Sequence, residues 1–437
     1  MAVASLGCSK NLVDTEVILG RLGAAGYPLA AEASEADVII VNTCGFIQAA
    51  KEESIDAVLS LARWKGEGRC RALVLAGCLA QRYGAELLAE LPEVDAVVGS
   101  GAYDHLPEII ERVLGGERVV EVEAPGYLPE EAPRLVTTGP GTAYLKVAEG
   151  CDHRCAFCAI PLMRGEYRSR ALESIVAEAE QLVAQGRQEL VLIAQDTTAY
   201  GRDRYGRGRL PELLRRLDQL EGLVWLRFLY GHPEHVTDEL FEAMAGSRRV
   251  VPYLDLPLQH VNGSVLRRMH RAGDAAHYAE LLTRARRMIP GLVIRSTFIV
   301  GFPGETEAQF EELVAFLQEQ RLDHVGAFTY SPEEGTPAAR LSGKVPAEVA
   351  AARLKRLISV QQEISRELNA TRVGGRELVL VERGGRGRAF GRSAREAPEV
   401  DGQVVLAGTA AVGQFVWARI ERAGAYDVSG KVEGVLP

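Results

Sequence analysis

The sequence predicts an α/β protein in three parts: an N-terminal parallel α/β domain, a central partial (open) β/α barrel of about six units, and a small C-terminal antiparallel β-barrel. Three observations carry this expectation. Short apolar runs alternate with helix-period segments over most of the 437 residues, the pattern of parallel sheets. A stretch rich in Pro, Gly and acidic residues, EVEAPGYLPEEAPRLVTTGPGT, interrupts the alternation after the first third and reads as a linker. Residues 370–437 change to short strands separated by glycines, without a helical period.

Taken in order, the first domain (1–125) offers AVASLG, ADVIIVN, RALVLAG and VDAVVGS as strands, with NLVDTEVILGRLGAAG, QAAKEESIDAVLSLARW and AQRYGAELLAEL as the helical patterns between them. The central domain (137–368) offers AYLKVAEG, ELVLIAQ, LVWLRFLY, YLDLPLQ, GLVIRSTFIVGF and HVGAFTYS, mostly separated by helices such as ESIVAEAEQLVAQG and ETEAQFEELVAFLQEQ. Six units are too few to close an eight-stranded barrel, and the active edge of such a fold lies at the carboxyl ends of its strands. Thr306 and Gln309, after the turn GFPGE, have the spacing of a capping box. An amphipathic helix around Ala347 to Asn369 leads to the last domain (370–437), where ELVLVE, RAFGRSA, GQVVLAG and GQFVWARIERA are the strands.

Composition, 47% hydrophobic and 25% charged, is that of an ordinary globular chain. The start, MAVASLGCSKNLVDTE, lacks a basic segment followed by an apolar one, and no run reaches the roughly 18 apolar residues of a membrane span. A cytoplasmic protein without a membrane partner is expected. The net charge of −9 is uneven: residues 1–135 hold 11 Lys and Arg against 21 Asp and Glu, or −10, whereas residues 370–437 hold 10 against 8, or +2. An acidic first third repels phosphate backbones and suits a basic partner, although solvation alone is the commoner reason for such charge. The last domain, with Phe390, Phe415, Trp417 and Tyr426 as its aromatics, has no basic stripe of the kind nucleic acid needs, and a polypeptide partner fits it better.

In a reducing compartment, six of the seven cysteines are better read as metal ligands or catalysts than as disulfides. Cys70, in EGRCRA, fits no pattern and is expected to be a free thiol. GCDHRCAFCAIPLMRG places Cys151, Cys155 and Cys158 as Cys-x3-Cys-x2-Cys directly after the first barrel strand. A structural zinc wants four ligands, and no fourth cysteine is near; His153 lies inside the spacing, between residues that are already ligands. A 4Fe-4S cluster held by three thiolates keeps one iron free for another ligand. Cys8 (SLGCSK), Cys44 (VNTCGF) and Cys78 (LAGCLA) form a second set, each just past a different strand, at intervals of 36 and 34 residues. A lone Cys at a strand end is usually a small buried hydrophobe. Neighbouring strands are about 4.8 Å apart, so three thiols at their ends can converge on one cluster.

The first triplet resembles the signature of radical S-adenosylmethionine enzymes, in which the open iron chelates the cofactor and one electron cleaves it to a deoxyadenosyl radical. That resemblance puts Phe157 near the adenine and Gly301 and Glu305 of the GFPGE turn against the cofactor. Two three-cysteine sets on this architecture resemble the methylthiotransferase family, with matching segments along nearly the whole chain: LGCSKNLVDTE, YLKVAEGCDHRCAFCAIPLMRG, LIAQDTTAYGRD, YLDLPLQHVN, STFIVGFPGETE, FTYSPEEGTPAA and RSAREAPEVDG. The resemblance implies two 4Fe-4S clusters, a radical one on Cys151, Cys155 and Cys158 and an auxiliary one on Cys8, Cys44 and Cys78, all six acting in catalysis through their clusters. It also implies S-adenosylmethionine as both methyl donor and radical source, an electron donor such as a flavodoxin or ferredoxin, and a C-terminal domain similar to TRAM.

Within the family the details resemble the branch that adds a methylthio group to an aspartate β-carbon of ribosomal protein S-twelve, with no nucleic acid required. The alternative is the branch acting on isopentenyladenosine of transfer RNA. That branch typically has Gln-Met-Asn where this chain has Ser9-Lys10-Asn11, and Gly-Gln-Asn where it has Ala194-Gln195-Asp196. The two clusters must face one cavity, so the first domain's carboxyl edge must fold over the barrel mouth; the sequence does not fix that docking. Gln195, Asp196, Gln259, His260, Glu333 and Glu334 are expected on the active edge, with His260 in a hydrogen-bonding or packing role. Arg164, Arg168 and Arg170 are open between contacts to carboxylate or phosphate and ordinary surface ion pairs.

Overall fold

The computed structural model describes residues 1–385 and 387–436. Strands β1 (Ala2–Ser5), β2 (Val38–Thr43), β3 (Ala72–Gly77), β4 (Ala96–Gly99) and β5 (Val119–Glu121) form one parallel sheet in that order. β2 and β3 are buried throughout, which is why they read as unbroken apolar runs. Val38 and Ile40 pack in one cluster with Ile18 and Ile110, while Ile39 and Val41 pack in another with Val58 and Leu87, so both faces are covered by helices. β5, only three residues long, was not expected from the sequence.

The central six parallel strands are those the sequence predicts: β6 (Thr142–Lys146), β9 (Glu189–Ile193), β10 (Trp225–Phe228), β11 (Tyr253–Asp255), β12 (Val293–Val300) and β13 (His324–Thr329). They form two three-stranded sheets, ordered β10-β9-β6 and β11-β12-β13, joined by an isolated bridge from Leu226 to Val250. Among the described residues β6 pairs with β9 alone and β13 with β12 alone, so the barrel stays open between them. A short antiparallel pair, β7 (Ala148–Glu149) with β8 (Arg168–Ser169), frames the loop carrying Cys151, Cys155 and Cys158. The inner cluster of Tyr144, Val191, Ile193, Trp225, Tyr253 and Val293 is joined by Val13 of the first domain and by Leu380 and Phe415 of the last.

The C-terminal strands β14 (Arg376–Gly385), β15 (Arg388–Ser393), β16 (Val404–Ala407), β17 (Phe415–Ala423) and β18 (Val428–Val435) close into a barrel in the order β14-β15-β16-β18-β17. One pairing departs from the antiparallel expectation: β16 and β18 run parallel. β18, VSGKVEGV, is a fifth strand beyond the four expected; two glycines and two charges blunt its apolar alternation. The helix Ala347–Ala370 connects this barrel to the central one. Among the described residues no helix is long and apolar enough to cross a membrane.

Candidate active site

Cys8, Cys44 and Cys78 follow the carboxyl ends of three adjacent parallel strands, where Ser5 is in register with Asn42 and Thr43 with Gly77. Cys8 immediately precedes the helix Ser9–Ala24 and Cys78 opens the helix Cys78–Glu90, so both thiols sit at helix N-termini. Two glycines make the convergence possible. Gly77 has φ +99°, and a Cβ there would lie 2.3 Å from Asn42 Oδ1; a Cβ on Gly7, at φ +87°, would lie 2.8 Å from Cys44 Cβ. Asn11 Nδ2 donates to Leu6 O at 3.0 Å and Thr43 O at 2.9 Å, tying the loop of Cys8 to that of Cys44. Burial pushes the Cys78 thiol up to about 12, and the charges of Cys8 and Cys44 add to the rise, which places the three sulfurs in one electrostatic neighbourhood.

The second triplet occupies the loop between β7 and β8, pinned at three points: Cys151 N donates to Gly165 O at 3.1 Å, Cys158 N to Cys155 O at 3.0 Å, and Ala156 N to Met269 O at 2.9 Å. Burial raises Cys151 to about 12 and Cys158 further, and Cys155 Sγ lies 3.7 Å from Arg271 Nη1. Among the described residues neither triplet brings three sulfurs within 4.8 Å of one another. Sulfurs sharing one tetrahedral ion at bonds of about 2.3 Å sit roughly 3.8 Å apart, so both sets are too wide for one zinc. Thiolates on separate irons of a polynuclear cluster need not approach so closely.

His153 turns away from the thiols. Its Nε2 contacts Asp196 Oδ2 at 2.8 Å, and His235 Nδ1 contacts the same oxygen at 2.7 Å. Two ligands on one metal with bonds near 2.1 Å stand roughly 3.3 Å apart, so these are imidazole N–H groups donating to a carboxylate. Burial pushes the Asp196 carboxyl up, but the hydrogen bonds from His153 and His235 outweigh it and hold the group well below the usual range. His232 stacks on His153 with ring centroids 3.7 Å apart, and burial lowers its pKa to about 2, so it is neutral. His153 and His235 border a cavity of about 480 Å³ that Tyr167, Arg202 and Glu234 also line. Sequence reasoning placed Asp196 at this edge and missed His232 and His235, whose signal was HPEH just past the third barrel strand.

The two cysteine sets meet across the domain boundary. Cys78, Ala159 and Met163 form a buried apolar cluster that Phe46 and Ile160 join, so residues next to Cys44 and Cys158 pack together. Beside it lies a buried ionic network. Arg164, 3% exposed, donates from Nε to Cys78 Sγ at 3.2 Å, from Nη1 to Asp14 Oδ2 at 2.5 Å and Glu149 Oε2 at 3.2 Å, and from Nη2 to Asn11 Oδ1. Lys146 Nζ donates to Asp14 Oδ1 at 2.5 Å and to Glu149 Oε2 at 2.9 Å. Burial alone would raise the Glu149 carboxyl; Lys146 and Arg164 outweigh it and keep it ionised. On the far side Glu333, 1% exposed, receives Arg82 at 2.7 Å and Lys51 at 3.0 Å, both from the first domain. This is the folded-over docking that the two-cluster reading requires.

The remaining sequence-predicted residues divide by what they touch. Gln195 donates to Glu149 Oε1 at 2.5 Å and so joins the network. His260 is fully buried, contacting Glu305 Oε1 at 3.1 Å and accepting from Asn262 N at 3.0 Å, a packing role as expected. Glu305 Oε2 also accepts from Gly301 N at 2.5 Å and Arg353 Nη1 at 2.8 Å, so this carboxylate braces its own turn. Phe157 packs in the apolar cluster of Phe302 and Ile299, beside that turn. Gln259 bridges to β12 through its backbone, at φ +70°. Glu334 offers its carbonyl to Arg82 at 2.8 Å. Arg164 and Arg170 make buried ion pairs, Arg170 with Glu178 at 2.5 Å, which removes the surface-pair alternative for both. Arg168 lies on β8, in register with Glu149. Cys70 is a buried free thiol donating to Ala72 O at 3.2 Å.

Comparison with known proteins follows the same three parts. Residues 1–99 match the model of "Uncharacterized protein family UPF0004", residues 145–317 that of the radical SAM superfamily, and residues 373–432 that of the TRAM domain. A ribosomal protein uS12 methylthiotransferase RimO from Desulforudis audaxviator is 52% identical, spanning 100% of this chain and 98% of its own length. Its counterpart from Moorella thermoacetica is 51% identical over 99% of each chain. Among solved structures, the radical S-adenosylmethionine methyltransferase TsrM from Kitasatospora setae aligns with a TM-score of 0.57 at 13% identity, covering 83% of this chain and 88% of its own, a likeness of fold.

Proposed function

The chain belongs to the family of ribosomal protein uS12 methylthiotransferases named RimO, and on that premise we propose the assignment of its site. It is a radical S-adenosylmethionine methylthiotransferase acting on ribosomal protein uS12. In our reading the modified atom is the β-carbon of an aspartate. Cys151, Cys155 and Cys158 hold the radical 4Fe-4S cluster, and Cys8, Cys44 and Cys78 hold the auxiliary one. The observation that carries this is the meeting of the two triplets through Cys78, Arg164 and Glu149, which gives two centres one shared face.

Cys8, Cys44 and Cys78 would hold a centre that supplies the sulfur to be transferred, and Cys151, Cys155 and Cys158 one that would supply the electron for cleaving S-adenosylmethionine. The protein's own residues hold the site together. Asp196 fixes His153, and through it the cysteine loop. Phe157 and the Gly301–Glu305 turn, sharing an apolar cluster, form the surface for the adenine. The Glu333 latch and the inner cluster around Val13 hold the first domain against the barrel. A flavodoxin or ferredoxin delivers the electron, the enzyme works in the cytoplasm, and no nucleic acid is required. The acidic first domain suits a basic polypeptide.

The test is anaerobic reconstitution followed by incubation with uS12 and, separately, with isopentenylated transfer RNA, weighing both products. A methylthio mass gain on uS12, located on an aspartate by fragmentation, is expected. A gain on the nucleoside alone rejects the substrate.

A further inference from the structure

We infer that Arg164 is a positioning residue that tunes the auxiliary centre, donating an N–H to the Cys78 sulfur while tying that sulfur, through Glu149, to the radical cysteine loop. This rests on the two-cluster reading above and goes beyond it by assigning a role to a residue that is not a ligand.

The geometry is specific. Arg164 ends the five-residue helix Ile160–Arg164, which begins two residues after Cys158, so its backbone is an extension of the radical loop. Its side chain crosses to the other domain and reaches Cys78 at 3.2 Å, with Asn11 and Asp14 holding the rest of the guanidinium plane. Asn11 in turn secures the loops of Cys8 and Cys44. One fork therefore touches the auxiliary ligand, the clamp on the other two ligand loops, and Glu149, which sits two residues before Cys151 and also faces Gly150 N at 3.3 Å. Lys146 shares the carboxylates of Asp14 and Glu149 with Arg164 but, among the described residues, donates to no sulfur, so of the two cations Arg164 alone makes the sulfur contact.

A hydrogen bond to a ligating sulfur stabilises the more negative, reduced form of a cluster and raises its potential. A planar five-donor guanidinium, unlike an ammonium, can hold a sulfur, an amide and two carboxylates at once. Arg164 thus sets both the potential of the auxiliary centre and its placement relative to the radical one.

The experiment uses full-length protein, reconstituted anaerobically, as Arg164→Met and as Arg164→Met with Asp14→Asn; the double variant keeps the buried charge balanced if the single one fails to fold. The double variant is expected to bind roughly eight irons, as two 4Fe-4S clusters require. Its auxiliary centre should show a lower midpoint potential and an altered electron paramagnetic resonance signal, with the radical centre unchanged. The ratio of deoxyadenosine formed to uS12 modified should rise roughly tenfold or more, the usual scale for losing a ligand's outer partner. An unchanged potential, signal and ratio with both clusters present overturns the role of Arg164 alone. A wild-type protein that takes up only about four irons overturns the two-cluster reading, and this inference with it.

Discussion

Asp196 accepts from His153 and His235 through one oxygen and from Thr198 and Ala199 N through the other. An amide has a single acceptor oxygen, so Asp196→Asn gives up either the two imidazoles or Thr198 and Ala199 N, and either loss weakens the anchor of the loop between Cys151 and Cys155. We expect cofactor cleavage, measured as deoxyadenosine released, to fall roughly tenfold while iron content stays at the wild-type value. Cys44→Ala separates the two centres differently: bound iron should drop from roughly eight to about four, methylthiolation should stop, and cleavage should persist. At this scale the sequence revealed residues whose meaning lies in spacing or in a place at a strand end, such as the six cysteines. It left Arg164 open between a carboxylate or phosphate contact and a surface ion pair, because a guanidinium that bonds Cys78, 86 residues away, has no local signature of that sulfur contact.

The turns and strand ends that carry these residues make their own predictions. Thr306 and Gln309 form the reciprocal cap of the helix Glu307–Gln320, with both bonds present. Thr306→Ala should cost about 1 kcal/mol locally, read as faster amide exchange in the first turn of that helix. Gly77→Ala meets both a left-handed backbone and the Asn42 side chain, so the auxiliary loop should rearrange and iron fall to about four, with the radical loop spared. The capping box and all six barrel strands were legible because each depends on neighbours in sequence. β18 was not, since its partners β16 and β17 mask it: a strand with Gly430 and Gly434 is stabilised by pairing more than by its own side chains. The β7–β8 pair, two residues each, falls below any readable period.

The three parts are held together by buried charge as well as by apolar contact. Glu189 of β9, fully buried, receives Arg392 of the C-terminal barrel at 2.6 Å and Arg227 of β10 at 3.3 Å, beside the edge-on contact of Trp225 with Phe415. Burial pushes the Glu189 carboxyl up, but Arg392 and Arg227 outweigh it and bring it down to about 2. A carboxylate whose folded pKa is depressed stabilises above its unfolded value, near 4.5, and that support is lost as pH falls through about 2. Acid titration from pH 5 to 2 should therefore release the C-terminal barrel, reported by tryptophan fluorescence. Glu189→Gln should remove this transition and weaken the docking at neutral pH by roughly 3–5 kcal/mol, because two guanidiniums lose their counter-charge. That the first domain must fold over the barrel was expected from the two cysteine sets, but none of the contacts that hold the three parts together was readable. Lys51 and Glu333 are 282 residues apart, and no linear pattern pairs them. The arginine that serves the first domain's thiols is thus encoded in the second, which bears on how such enzymes can be recombined. A chimera built at the linker would inherit three cysteines and orphan them from their guanidinium; a graft that also brings residues 146–164 keeps donor and acceptor as one heritable unit.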